Sequence, residues 1–133
     1  MTPETAQTIL DQGFAPWIKA LSPVISEISA ARTVMTIPIT PDIKRIGDIV
    51  CGQALTALAD TAMVLACFGH LDAPEPVGTV TLDTQFLRPA TGDSIRCEAE
   101  VTRAGKSMMF TRCTLIAEPS GKAVAMATAT FAR

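Results

Sequence analysis

No part of the sequence accumulates charge of one sign. Lys and Arg number 11 and Asp and Glu 13, giving a formal net charge of −2, and nowhere do basic residues form a run. That excludes a polybasic surface for nucleic acid or for an anionic membrane, and neither is expected as a partner. Histidine occurs once, at His70. The four cysteines, Cys51, Cys67, Cys97 and Cys113, contain no C-x-x-C pair, so neither a zinc site nor a disulfide framework is indicated and no metal is expected. Met1-Thr2-Pro3-Glu4 lacks the positive start and apolar core of a secretory signal, and a cytoplasmic location is expected.

Apolar residues, by contrast, make up 48% of the chain, and mean hydropathy is +0.33. That is high for a monomer of this size and predicts apolar surface buried between copies of the chain, so a homo-oligomer is expected. A length of 133 residues allows one domain with a real core and not two ordinary ones. Residues 1–133 are therefore read as a single domain, with 1–22 as an N-terminal helical segment.

The chain is organised around Gly47 to His70. From Gln53 to Phe68 it is rich in Ala, Leu and Met, with no Gly or Pro before Gly69, which predicts one helix. Apolar residues occupy nearly every face, the mark of a helix enclosed by the rest of the chain. Asp60 is the single formal charge within it. Mid-helix it cannot cap the N-terminus, and a buried carboxylate is costly without a partner, so a function other than folding is expected of it. The apolar run is about long enough to span a bilayer by the ~20-residue rule. Asp60 near the midplane and the lack of close Lys or Arg anchors argue against that.

In chain order, Thr2-Pro3 starts a helical segment broken near Gly13 and Pro16 into two short helices. Val24 to Pro38 is rich in β-branched residues, with Thr33 to Ile39 the clearer strand, and Pro41 to Asp48 reads as a loop. Beyond the turn at Asp72 to Pro76 everything reads as strand. Residues 77–88 place Val80, Leu82 and Phe86 on one face and Thr79, Thr81, Asp83 and Gln85 on the other. Residues 94–103 alternate more cleanly, Ala104-Gly105-Lys106 is a tight hairpin turn, and Ala123 to Phe131 is a final strand. A turn centred on Gly105 would pair Val101 with Met109, Ala99 with Thr111, Cys97 with Cys113 and Ile95 with Leu115. The two cysteines are then expected to be packed thiols rather than a disulfide. Long antiparallel strands after one buried helix predict an α+β fold, a sheet wrapped around that helix.

Gly52-Gln53 leading a helix, Asp60 eight residues after Gly52, and Asp83-x-x-Phe86-Leu87-Arg88-Pro89 followed by Gly92-Asp93 resemble the hotdog-fold acyl-CoA thioesterases of the PaaI type. The resemblance runs from about Trp17 to the end of the sequence. It implies a long helix wrapped by an antiparallel sheet, and subunits paired edge to edge into a homodimer with active sites at the interface, often paired again into a homotetramer. It makes Asp60 the general base or nucleophile on the thioester carbonyl and Gly52 the backbone N–H that holds the carbonyl oxygen. Thr79 corresponds to a Ser or Thr that in the family comes from the opposite subunit and helps to position the attacking water. Arg103, Gly105, Lys106 and Ser107 fall on the hairpin that in the family meets the phosphates of coenzyme A. No cofactor is implied beyond coenzyme A as part of the substrate. Cys51-Gly52-Gln53 departs from the family's commoner His-Gly-Gly, and the Gln53 side chain offers an N–H in place of the histidine.

The physical chemistry of the reaction fits these residue types. Thioester hydrolysis develops negative charge on the carbonyl oxygen, and the free N–H groups at a helix start are aimed donors for it. An apolar setting would raise the pKa of Asp60 from ~3.9 towards useful basicity. Cys51 at the same helix start is a weaker candidate nucleophile, since His70 would lie roughly 27 Å away at ~1.5 Å per residue. Phe68, Met63 and Trp17 are candidates for the acyl pocket. The sequence supports hydrolysis of a small or medium, or aryl, acyl-CoA first. A non-catalytic module that binds acyl-CoA or assembles with a partner comes second, and a structural dimerisation domain third.

Overall fold

The computed structural model describes residues 1–133. At its centre lies α3, Gly52–Leu71, with 13 of its 20 residues buried. By length and composition α3 would suffice to cross a membrane, but 72% of its most apolar window is buried inside the fold. The sequence predicts its end at Gly69, whereas the helix continues to a left-handed Asp72 (φ 53°), whose N–H turns back to the carbonyls of Phe68 and Gly69. Gly69 is an interior position of close approach: a Cβ there would lie 2.7 Å from the Ser29 carbonyl oxygen.

The expected pair of short helices precedes it. Thr2 caps α1, Pro3–Gly13, by accepting the Thr5 N–H at 3.2 Å, and α1 buries Ala6 and Leu10. α2 is the single turn Pro16–Lys19. The region from Val24 to Pro38 forms two antiparallel strands, β1 (Val24–Ile28) and β2 (Thr33–Pro38). Pro41 to Asp48 is not a plain loop: a 3₁₀ turn at Pro41–Ile43 leads into a short ladder of β3 (Lys44–Arg45) and β4 (Ile49–Val50).

After α3 come β5 (Gly78–Phe86), β6 (Ser94–Ala104), β7 (Met108–Glu118) and β8 (Lys122–Ala132). With β1 and β2 they form one antiparallel sheet in the order β1-β2-β6-β7-β8-β5. It wraps around α3, the expected hotdog arrangement. Ile95, Cys97 and Ala99 of β6 and Met109, Cys113 and Leu115 of β7 point inward into the same core cluster as α3. β5 is an unpaired edge, with Val80 and Phe86 each 55% exposed.

Two strand expectations change. The β6–β7 ladder pairs Ala99 with Cys113 and Cys97 with Leu115, two residues from the predicted register. The turn has the predicted length but is displaced, running from Gly105 to Ser107 instead of Ala104 to Lys106, and a bulge between Val101 and Arg103 adds a residue to β6. A shift of two keeps every side chain on its face, so Cys97 and Cys113 remain inward, now as diagonal neighbours, and both are free buried thiols. The second change is in β5. A bulge between Thr79 and Thr81 pairs Thr79 with Phe131 and Leu82 with Ala129, two inward-facing partners. Thr79 therefore shares the inner face with Leu82, where simple alternation had put it opposite.

Candidate functional site

The N-terminal end of α3 is left open by its own sequence. Cys51 occupies the N-cap in extended geometry (φ −68°, ψ 149°) and makes no side-chain cap, and the first turn holds no acidic residue. The free N–H groups there, at Gly52 and Gln53, carry the positive end of the helix dipole with no side-chain cap and no first-turn carboxylate to neutralise it. Gly52 is constrained from outside as well: a Cβ there would lie 3.1 Å from Cζ of Phe86, whose ring covers the helix start.

Two turns on, Asp60 is half-buried on the same side of the helix. The Thr79 hydroxyl donates to its Oδ1 at 3.1 Å. This contact lies within one chain, whereas the resemblance places the corresponding hydroxyl on the opposite subunit; the β5 bulge is what turns Thr79 inward. Burial raises the Asp60 carboxyl above its ordinary value, and the Thr79 hydrogen bond offsets part of that. Gly52, Gln53 and Asp60 line one groove of about 590 Å³, together with Thr56 and Ala57 of α3, Leu82 and Phe86 of β5, and Trp17 of α2. A polar stripe (Gln53, Thr56, Asp60) at helical spacing thus faces aromatic and aliphatic walls.

Of the acyl-pocket candidates, Trp17 lines this groove and is 62% exposed. Met63 and Phe68 are instead core residues, 0% and 6% exposed, because they lie on faces of α3 covered by the fold. Leu82 and Phe86 stand in the sequence only as the apolar face of a strand, Phe86 also within the motif that carries the resemblance, and nothing there points to Thr56, although the four-residue step from Thr56 to Asp60 marks one helix face. Cys51 is half-buried and His70 sits exposed at the opposite end of α3.

Arg103, Gly105, Lys106 and Ser107 are not part of the groove wall. They form the β6–β7 hairpin, which Arg133 holds in place: its N–H donates to the Ser107 carbonyl at 2.9 Å and its Nη1 to the Gly105 carbonyl at 3.2 Å. The Arg133 guanidinium is bidentate to Glu75, at 2.9 Å for each bond. Arg103 and Lys106 project from this anchored turn, exposed and without an acidic partner. A second cavity, about 610 Å³, opens on the outer sheet face, but its arginines are already engaged, Arg32 with Glu27 and Arg112 with Glu100. No three His, Cys, Asp or Glu side chains come together as a possible metal site.

A family model described as the thioesterase superfamily matches residues 47–124, which include Gly52, Asp60, Thr79 and the hairpin. Candidate esterases from two archaea are similar in sequence. The protein from Thermoplasma acidophilum is 27% identical over 86 residues, covering 65% of this chain and 64% of the relative. The one from Thermoplasma volcanium is 31% identical over 74 residues, covering 56% and 55%. The chain thus spans less than two thirds of these curated relatives. Among solved structures, zebrafish thioesterase superfamily member 2 superposes with a TM-score of 0.87 at 18% identity, over 99% of this chain and 98% of that one. A thioesterase from Haemophilus influenzae gives 0.87 at 18% identity over 99% and 90%. A thioesterase family protein from Silicibacter pomeroyi gives 0.85 at 22% over 97% and 95%. At these identities the structures speak for the fold.

Proposed function

As the chain belongs to the thioesterase superfamily, we propose that it is an acyl-CoA thioesterase of the PaaI type, hydrolysing a small or medium, or aryl, acyl-CoA to the free acid and coenzyme A. The observation that carries the reading is Asp60: a half-buried carboxylate, raised in pKa and held by Thr79, in one groove with an uncapped helix start. In the reaction Asp60 takes a proton from water as the water oxygen bonds to the thioester carbon. The carbonyl oxygen becomes negative and accepts the N–H groups at Gly52 and Gln53. The tetrahedral intermediate then breaks its carbon–sulfur bond, and the proton held by Asp60 passes to the departing sulfur. Thr79 orients the carboxylate. Trp17, Leu82 and Phe86 form the walls for the acyl group.

Two copies of the chain would pair through the exposed β5 edge. A nine-residue edge strand, paired with β8 on one side alone and with Val80 and Phe86 in the open, is a surface that chains usually cover. A homodimer, or a homotetramer built from two, is the assembly we infer, and it would close the groove at its open side. Arg103, Lys106 and the backbone of Gly105 and Ser107 would meet the coenzyme A phosphates. Replacing both Arg103 and Lys106 by alanine is expected to raise KM for an acyl-CoA about tenfold. It should leave KM unchanged for the matching N-acetylcysteamine thioester, which has no phosphates; equal effects on both substrates would remove the hairpin from the reading.

A second reading, a non-catalytic module that binds acyl-CoA, is favoured by one observation: Cys51 stands where the family usually has histidine. A panel of short, medium and aryl acyl-CoAs separates the two. The enzyme reading requires free thiol to accumulate with at least one of them, and tight binding without turnover across the panel would support the module.

A further inference from the structure

The groove contains a second hydroxyl to which the reaction as described gives no part. Thr56 lies on the uncovered stripe of α3, one turn before Asp60 and one turn after Gly52, in the wall of the same groove. Side chains four apart on a helix are neighbours, with Cβ atoms ~5–6 Å apart. Helix threonines ordinarily turn the hydroxyl back to the carbonyl four residues earlier. Thr8 does so to Glu4 at 3.0 Å and Thr61 to Ala57 at 2.8 Å. Thr56 makes no such bond to Gly52, and its side chain lines the groove. Thr79, meanwhile, has its proton committed to Asp60 Oδ1, which leaves Oδ2 as the free oxygen of the carboxylate.

We propose that Thr56 positions the attacking water, holding it by one hydrogen bond while the free carboxylate oxygen of Asp60 accepts its proton. The inference rests on the thioesterase reading above. Between the N–H donors at Gly52 and Gln53 and the base at Asp60, Thr56 is the polar side chain alongside the scissile carbonyl. A water there is aimed at the carbonyl carbon by two groups fixed on one rigid helix. One O–H bond of that water breaks towards Asp60 as its oxygen bonds to carbon; Thr56 exchanges no proton and forms no covalent bond. Thr56 thus takes over the water-holding task that the resemblance gives to Thr79, whose hydroxyl here orients the carboxylate.

The test compares Thr56→Val, which keeps shape and loses the hydroxyl, with Thr56→Ser, which keeps the hydroxyl. Hydrolysis of a turned-over acyl-CoA is measured with and without hydroxylamine as a competing nucleophile. Thr56→Val is expected to lower kcat by roughly tenfold or more, with KM within twofold, and Thr56→Ser to return kcat to within about threefold of wild type. The hydroxamate-to-acid ratio should rise in Thr56→Val, because only water loses its binding partner. With the uncatalysed reaction of hydroxylamine with the thioester subtracted from both, a purely structural role would lower the two enzymatic products together. Unchanged kcat in Thr56→Val, or an unchanged product ratio, overturns the proposal. Asp60→Asn is run beside them: if it retains wild-type hydrolysis, the thioesterase reading fails and this inference with it, whereas an inactive Asp60→Asn leaves Thr56 to be judged on its own variants.

Discussion

Replacing Gly92 by alanine is expected to destabilise the protein by about 3 kcal/mol or more, at the severe end for a single substitution. Gly92 has φ +119°, and a Cβ there would lie 2.3 Å from the Glu118 carbonyl oxygen. That oxygen and the Glu118 carbonyl carbon, at 3.2 Å, belong to backbone, so neither can rotate away. The same carbonyl accepts the Asp93 N–H at 2.8 Å, and the Asp93 carbonyl accepts the Ile39 N–H at 2.9 Å. The turn therefore fixes the entry of β6 between β2 and β7, the centre of the sheet. Gly121 provides the control: it too has positive φ, +73°, but nothing lies within 4 Å of its Cβ position. Gly121→Ala should cost only the left-handed backbone, about 1 kcal/mol. Urea denaturation of the two variants distinguishes strain with a clash from strain alone, and equal midpoints would contradict this account.

Asp60→Asn is expected to lower kcat for thioester hydrolysis by about 10²–10⁴-fold, the usual worth of a positioned general base. Asparagine keeps the size and can still accept from Thr79, but it takes no proton. In the wild type kcat/KM should rise with pH as the carboxylate ionises, with its midpoint above the ordinary carboxylate range because burial raises this group. The stability consequence has a definite sign. A carboxyl whose folded-state pKa is raised holds its proton more tightly in the folded chain, so its contribution to stability is greatest in acid. That contribution falls as pH rises from the unfolded-state value through the raised one, then levels off. Above its raised pKa the ionised Asp60 is a cost, and Asp60→Asn should there melt at the same or a higher temperature than wild type, with the advantage shrinking below the ordinary carboxylate range. A variant that melted several degrees lower at pH 7 would make Asp60 a structural group.

Much of this was legible in the residues. The unrelieved apolar run around Asp60 shows an enclosed helix with one unexplained charge, and the alternation of Ile95, Cys97 and Ala99 fixes the inner face of β6. Bulges are less visible. Thr79 is outward by strict alternation, and only the extra residue at Val80, specified by the pairing of β5 with β8, turns it towards Asp60. The β6–β7 register escapes the pattern for the same reason: a displaced turn and a bulge leave the inward pattern intact while sliding partners by two. The end of α3 is not legible because glycine usually ends a helix, whereas Gly69 answers a tertiary demand, the close passage of Ser29. Gly92 shows the converse, a residue that entered through a family resemblance and proves to be required by a backbone contact. Thr56 needed the structure, since many helices carry a threonine and only the packing around α3 leaves this one on a groove wall.

The central claim is that Asp60 makes this groove a thioesterase site. The most direct measurement incubates wild type and Asp60→Asn with the same acyl-CoA at pH 7 and follows free thiol and free acid together. The account predicts equimolar thiol and acid from wild type and at least a hundredfold slower release from Asp60→Asn. Equal rates from the two proteins would contradict it.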